Sequence, residues 1–86
     1  MNKSYFYENS NLISHNLRQL RNKQKLSQEE LAAQMQLLGI DINQQLISRI
    51  ERNQRFVKDF ELVGFCKVLN VTERDLLSGF YDSHDE

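Results

Sequence analysis

Proline is absent from this 86-residue chain, and glycine occurs only three times. No useful stretch alternates apolar and polar residues with the period of two that a half-buried strand requires. Apolar residues recur three and four apart instead, in runs that begin behind short polar cap sequences. An unpunctuated, helix-periodic chain of this kind points to an all-α domain with short connections.

The spacing predicts a first helix over about residues 12–24, with Ile13, Leu17 and Leu20 as its apolar stripe and Asn9 or Asn11 as its cap. Leu26 plugs the connection that follows. Ser27-Gln-Glu-Glu30 has the form of a capping box, in which the Ser hydroxyl meets the Glu30 amide and the Glu30 carboxylate reaches back. It opens a second helix that runs to about Leu38, with Leu31, Met35 and Leu38 inward and Gly39 as a left-handed terminator. Ile40-Asp41-Ile42 is the turn, and Asp41 or Asn43 caps a third helix that ends near Arg52. Residues 53–58 form an irregular loop. Asp59 caps a fourth helix over about 60–69, burying Leu62, Phe65, Cys66 and Leu69. Val71 is a second plug, Thr72-Glu-Arg-Asp75 a second capping box, and a short fifth helix carries Leu76 and Leu77.

Bulk properties narrow the class. The chain makes one domain with a modest core. Its 40% hydrophobic and 27% charged content is ordinary for a soluble globular protein. No apolar run is long enough to span a bilayer, and residues 1–8 hold no secretory h-region, so a cytoplasmic protein without membrane contact is expected. Cys66 is the single cysteine; it falls in an apolar periodic stretch and is read as a buried small hydrophobe in a reducing compartment. A net charge of −1 argues against nucleic acid until the charges are located. Residues 15–58 carry eight cations (Arg18, Arg21, Lys23, Lys25, Arg49, Arg52, Arg55, Lys58) against Glu29, Glu30, Asp41 and Glu51. Residues 59–86 carry seven acidic residues against two basic ones. The middle of the chain is a basic platform, and local field decides whether phosphates are attracted.

The third helix divides into two faces. Ile47 and Ile50, with Leu46 beside them, suit a core, whereas Gln44, Gln45, Ser48, Arg49 and Arg52 have no obvious structural duty. Gln and Arg are also plain helix formers, so a merely wet face is the competing explanation. They are equally the side chains whose planar, multi-donor ends match base edges in the major groove.

Four segments in order carry a family pattern: Leu17-Arg-Gln-Leu-Arg21, Ser27-Gln28-Glu-Glu-Leu31-Ala32, Ile47-Ser48-Arg49-Ile50-Glu51 and Leu69-Asn70-Val71. Together they resemble the lambda repressor/Cro-like (XRE) helix-turn-helix DNA-binding regulators, over roughly residues 12–78. The stretch from Gln34 to Asn43 is longer than the tight form of the motif, marking a long-turn variant. The resemblance implies a five-helix DNA-binding domain at 12–78, with an N-terminal tail at 1–11 and an acidic C-terminal tail at 79–86. It implies base reading by Gln44, Gln45, Ser48 and Arg49, and phosphate contacts from Gln28, Arg52, Gln54, Arg55 and Lys58. It also implies a structural ion pair between Arg21 and Glu51. The partner is double-stranded DNA bearing a palindromic operator, met by a homodimer, and the output is transcriptional repression without a cofactor. Phe80 and Tyr81 are the expected two-fold contact, with Tyr5-Phe6-Tyr7 next.

Two other classes compete for the same residues. His15 and His84 are far apart without partners at catalytic or ligand spacing, and no metal or phosphate-loop motif is present, so no enzyme is expected. The same fold also serves as the antitoxin of toxin–antitoxin pairs, where a protein partner joins the DNA. The aromatic flanks at 5–7 and 80–81 keep that alternative open.

Overall fold

The computed structural model describes residues 9–84, with side chains described as far as Tyr81. Residues 5–7, the second candidate contact, lie outside the described residues. The described chain is all helical, in six helices: α1 Ser14–Lys23, α2 Gln28–Leu37, α3 Gln44–Glu51, α4 Asp59–Leu69, α5 Glu73–Leu76 and α6 Ser78–His84. The sixth replaces part of the tail expected at 79–86. After Leu77 the chain turns without breaking, with Phe80 and Tyr81 N–H both donating to the Leu77 carbonyl.

Three helix starts follow the cap chemistry, whereas α4 begins at Asp59 itself, with Lys58 rather than Asp59 in the cap position. Ser27 accepts from the Glu30 amide at 3.0 Å, and Glu30 accepts from the Ser27 amide at 2.8 Å. Thr72 and Asp75 repeat the exchange at 3.1 and 2.9 Å. Asn43, rather than Asp41, caps α3, accepting from the Leu46 amide at 2.9 Å. Neither Asn9 nor Asn11 caps α1 directly; Ile13 takes the cap position without a side-chain bond. Asn11 stands two residues before it and accepts from the Ile13 amide.

The first three helices end alike. Each reverses through a residue in the left-handed region: Lys25 (φ 59°), Gly39 (φ 83°) and Asn53 (φ 59°). In each, the two amides after the cap return to carbonyls of the last turn, as in Gly39 N–H to Gln36 and Ile40 N–H to Met35. Glycine adopts this geometry without strain, which is why Gly39 is legible as a terminator.

One core unites the helices. Leu17 of α1, Leu31 and Met35 of α2, Ile47 and Ile50 of α3, Phe65 and Leu69 of α4 and Leu76 of α5 are all buried. The long turn contributes as well. Ile42 is 1% exposed, Ile40 packs against the core, and the Gln36 amide donates to the Ile42 carbonyl at 2.9 Å. Leu38 was expected inward but is 47% exposed, because α2 ends at Leu37 and the chain turns away at Gly39. Among the described residues, no helix is long and apolar enough to cross a membrane.

The turn is therefore part of the core, and stability should report it. Ile42→Ala is expected to cost about 2–4 kcal/mol in chemical denaturation. Leu37→Ala, at an 80% exposed position close by, should change stability by less than about 0.5 kcal/mol. Equal effects would contradict a buried turn.

Candidate nucleic-acid interface

Burial of Ile47, Ile50 and Glu51 fixes the rotation of α3. Gln45, Arg49 and Arg52 are then exposed, and Gln44 and Ser48 are half-buried. The four base-reading candidates thus share the part of α3 left outside the core, and Arg52 follows them as the residue that caps its end.

Behind them lies an ion pair. Arg21 donates from Nε to Glu51 Oε2 at 2.7 Å and from Nη2 to Glu51 Oε1 at 2.8 Å, the two-pronged geometry that suits a guanidinium. Its Nη1 donates to the Leu26 carbonyl at 2.8 Å. The hydrogen bond to Glu51 raises the Arg21 pKa against the opposing effect of burial, and the carboxylate charge adds to the rise. The pair ties α1 to the last residue of α3.

The pair continues outward. Gln28 Nε2 donates to Glu51 Oε1 at 3.0 Å, and Gln44 Nε2 donates to Gln28 Oε1 at 2.7 Å. The direction of these bonds has a cause. An ionised carboxylate only accepts, so Gln28 must turn its NH2 toward Glu51 and its oxygen toward Gln44. Gln44 must then spend one N–H on Gln28. Its other N–H and its carbonyl oxygen are not used in this chain of bonds. Gln28 is the first residue of α2, so its backbone amide also stands at the positive end of that helix.

The loop after α3 holds the remaining candidates. Arg52, Gln54 and Lys58 are exposed. The Lys58 ammonium lies 5.7 Å from the centre of the Phe60 ring. Arg55 differs from the others: its guanidinium grips Glu61 at 2.9 and 3.1 Å and also donates to the Phe56 carbonyl. Glu61 is 1% exposed and accepts from the Lys58 amide at 2.9 Å as well. Burial pushes the Glu61 carboxyl up, but the Arg55 hydrogen bond, the Lys58 amide and both cations together hold it below the ordinary carboxylate range. Sequence reasoning missed Glu61, although its place three residues after Lys58 is the spacing of a carboxylate that closes a helix start. It took Asn11 only as a candidate cap of the first helix and missed its bridge: Asn11 is 9% exposed and bonded to two carbonyls, at the end of α3 and in the loop.

Other polar groups have ordinary explanations. Cys66 is buried, and burial followed by the charges of Glu73 and Asp75 raises its pKa, which keeps the thiol protonated. His15 is exposed on α1. No group of three or more His, Cys, Asp or Glu able to hold a metal occurs among the described residues.

The chain is similar to known proteins in sequence and in fold. Residues 17–76 match the family model described as helix-turn-helix. No curated protein matches the chain significantly. Among solved structures, the chain is similar to the restriction-modification controller protein C.AhdI from Aeromonas hydrophila. The TM-score is 0.66 and the identity 28%, with 74% of this chain and 86% of that chain covered.

The Arg55–Glu61 clamp makes a pH-dependent contribution. Glu61 has a folded pKa below its ordinary value of 4.5, so the unfolded chain binds its proton first. The clamp therefore stabilises the fold above that range and is lost as pH falls through the lowered folded value. Thermal melts between about pH 7 and pH 3 should show an acid limb that is shallower in Glu61→Gln. An identical limb in the variant would remove Glu61 from the linkage.

Proposed function

This chain belongs to the helix-turn-helix family of lambda repressor/Cro-like DNA-binding transcription regulators, and we propose that it is a repressor that reads a palindromic operator through the major groove with α3. The observation that carries this reading is the bond chain from Glu51 through Gln28 to Gln44. It orients a half-buried glutamine amide while leaving one donor and one acceptor for a ligand. Adenine offers the matching pair, N7 as acceptor and N6 as donor, side by side in the major groove. Gln45, one residue further along, is free to read a neighbouring base. Arg49 reads guanine or holds a phosphate, and Ser48 is short enough to leave room for both.

Affinity comes from the backbone contacts. The Gln28 amide at the start of α2 takes one phosphate, and Arg52, Gln54 and Lys58 take others beyond the end of α3. Arg55 enters as the residue that shapes this loop, since Glu61 already engages its guanidinium. One recognition helix reads few bases, so a symmetric dimer on two half-sites about 34 Å apart supplies the working specificity. The likeness to a restriction-modification controller supports gene control as the output, carried out without enzymatic chemistry.

A contact with protein is favoured by a separate observation. Phe56 is 77% exposed, Phe60 53% and Val63 43%. Phe80 and Tyr81, the pair first expected to make the two-fold contact, are half-buried and meet edge to face at 5.6 Å. Arg74 stacks on the Tyr81 ring at 4.1 Å. The Phe56–Phe60 surface is thus the better-supported place for a second copy, with an antitoxin-like contact to a different protein as the competing use. Phe56→Ser should lower cooperative binding to two half-sites and leave binding to one half-site unchanged. Unchanged cooperativity would return the contact to Phe80 and Tyr81.

Base reading and phosphate binding separate by variant. Gln44→Ala should cost about 1–3 kcal/mol on the preferred operator and relax the preference at one base pair. Lys58→Ala should weaken all duplexes alike and make log K against log salt shallower by about one. Equal loss by Gln44→Ala on operator and scrambled DNA would mean that Gln44 meets only the backbone.

A further inference from the structure

Asn53 occupies the left-handed position that closes α3, at φ 59°. Its amide donates to the Ile50 carbonyl at 3.0 Å, and the next amide, of Gln54, donates to Arg49 at 2.8 Å. Glycine would do all of this with less strain. The asparagine side chain adds something else. Its Oδ1 accepts from the backbone amides of Ser10 at 2.8 Å and Asn11 at 3.1 Å, and its Nδ2 donates to Asn9 Oδ1. A segment 42 to 44 residues away in sequence is thereby fastened to the end of α3.

Asn11 returns the contact. Its Nδ2 donates to two carbonyls, Ile50 in the last turn of α3 and Arg55 in the loop, both at 3.0 Å. Its Oδ1 accepts from the Ile13 amide at 3.0 Å, at the entrance to α1. One buried amide therefore bridges the recognition helix, the loop that follows it and the first helix. Besides that bridge, the loop is held by the closing turn at Asn53 and Gln54, by the Arg55–Glu61–Lys58 clamp and by Val57, which packs against the core.

We propose that Asn11 and Asn53 are positioning residues for DNA binding. They fasten residues 52–58, which carry Arg52, Gln54 and Lys58, to the end of α3, so that backbone contacts and base contacts fall in one register. The assignment rests on the DNA reading given above. It concerns neither the groups that touch bases nor those that touch phosphates, but the side chains that set the distance between the two.

Two variants isolate the effect. Asn53→Gly keeps the left-handed backbone and removes the side-chain bonds to residues 9–11. Asn11→Asp keeps the acceptor for the Ile13 amide and removes both donors. Each is compared with wild type by thermal melting and by binding to operator and scrambled duplexes over a range of salt. Each folded variant is expected to lose about tenfold in affinity on both duplexes, with a log K against log salt slope shallower by about one. The ratio of operator to scrambled binding should stay at its wild-type value, because Gln28 and Glu51 still hold Gln44. A loss that matches the unfolded fraction, with an unchanged salt slope, overturns the proposal and leaves the asparagines purely structural. If Asn11→Asp does not fold, Asn53→Gly decides alone. Absence of duplex binding by wild type would overturn the DNA reading itself, whereas wild-type binding with an unchanged slope in Asn53→Gly overturns only the positioning role.

Discussion

The ion pair between Arg21 and Glu51 is the constraint on which the rest of the interface depends. A buried carboxylate that can only accept hydrogen bonds fixes the direction of every amide linked to it. Gln28 must face it with nitrogen, and Gln44 must then face Gln28 with nitrogen. Such a pair is weak grounds for stability, because desolvation offsets much of its attraction. Its consequence is geometric: it joins α1 to the end of α3 and sets the orientation of a side chain on the open face of that helix. Breaking it would leave one buried charge without a partner and would also release the Gln28 amide.

The remaining architecture holds the two ends of α3 by different means. At the N-terminus, the Asn43 cap and the Gln44–Gln28 bond act together. At the C-terminus, the left-handed Asn53, the Asn11 bridge and the Arg55–Glu61 clamp order the chain as far as α4. The longer connection before α3 is absorbed without loosening the helix. Ile42 is drawn into the core, and the Gln36 side chain satisfies the Ile42 carbonyl. Ile40 and Ile42 pack inward, while Leu38, Gly39 and Asp41 between and before them stay exposed.

Much of this was legible in the sequence, for local reasons. Capping boxes at Ser27 and Thr72, the glycine at 39 and the spacing of Ile47 and Ile50 each encode structure within a few residues, and the all-α fold with its helix order follows from them. What was not legible depends on contacts between distant segments. Leu38 fits the apolar period of α2, but the helix stops one residue earlier. Residues 79–86 looked like a tail, since no capping pattern precedes the helix that Ser78–His84 forms. Arg55 looks like any exposed loop cation until Glu61 is placed beside it, and Asn11 like a simple helix cap until the end of α3 is laid against it. The open face of α3 was readable by periodicity, but the direction of the Gln44 amide required the structure of three helices at once.

The oriented glutamine can be tested by a double-mutant cycle at Gln28 and Gln44. Operator affinity is measured for wild type, Gln28→Ala, Gln44→Ala and the double variant, on duplex chosen by wild type from a random pool. If Gln28 acts by presenting Gln44 to a base, the two losses overlap. The double variant should then be weaker than the worse single variant by little, with a coupling of about 1 kcal/mol or more. Losses that add to within about 0.3–0.5 kcal/mol would show that the two glutamines act independently, and would contradict base reading through the chain of bonds from Arg21 to Gln44.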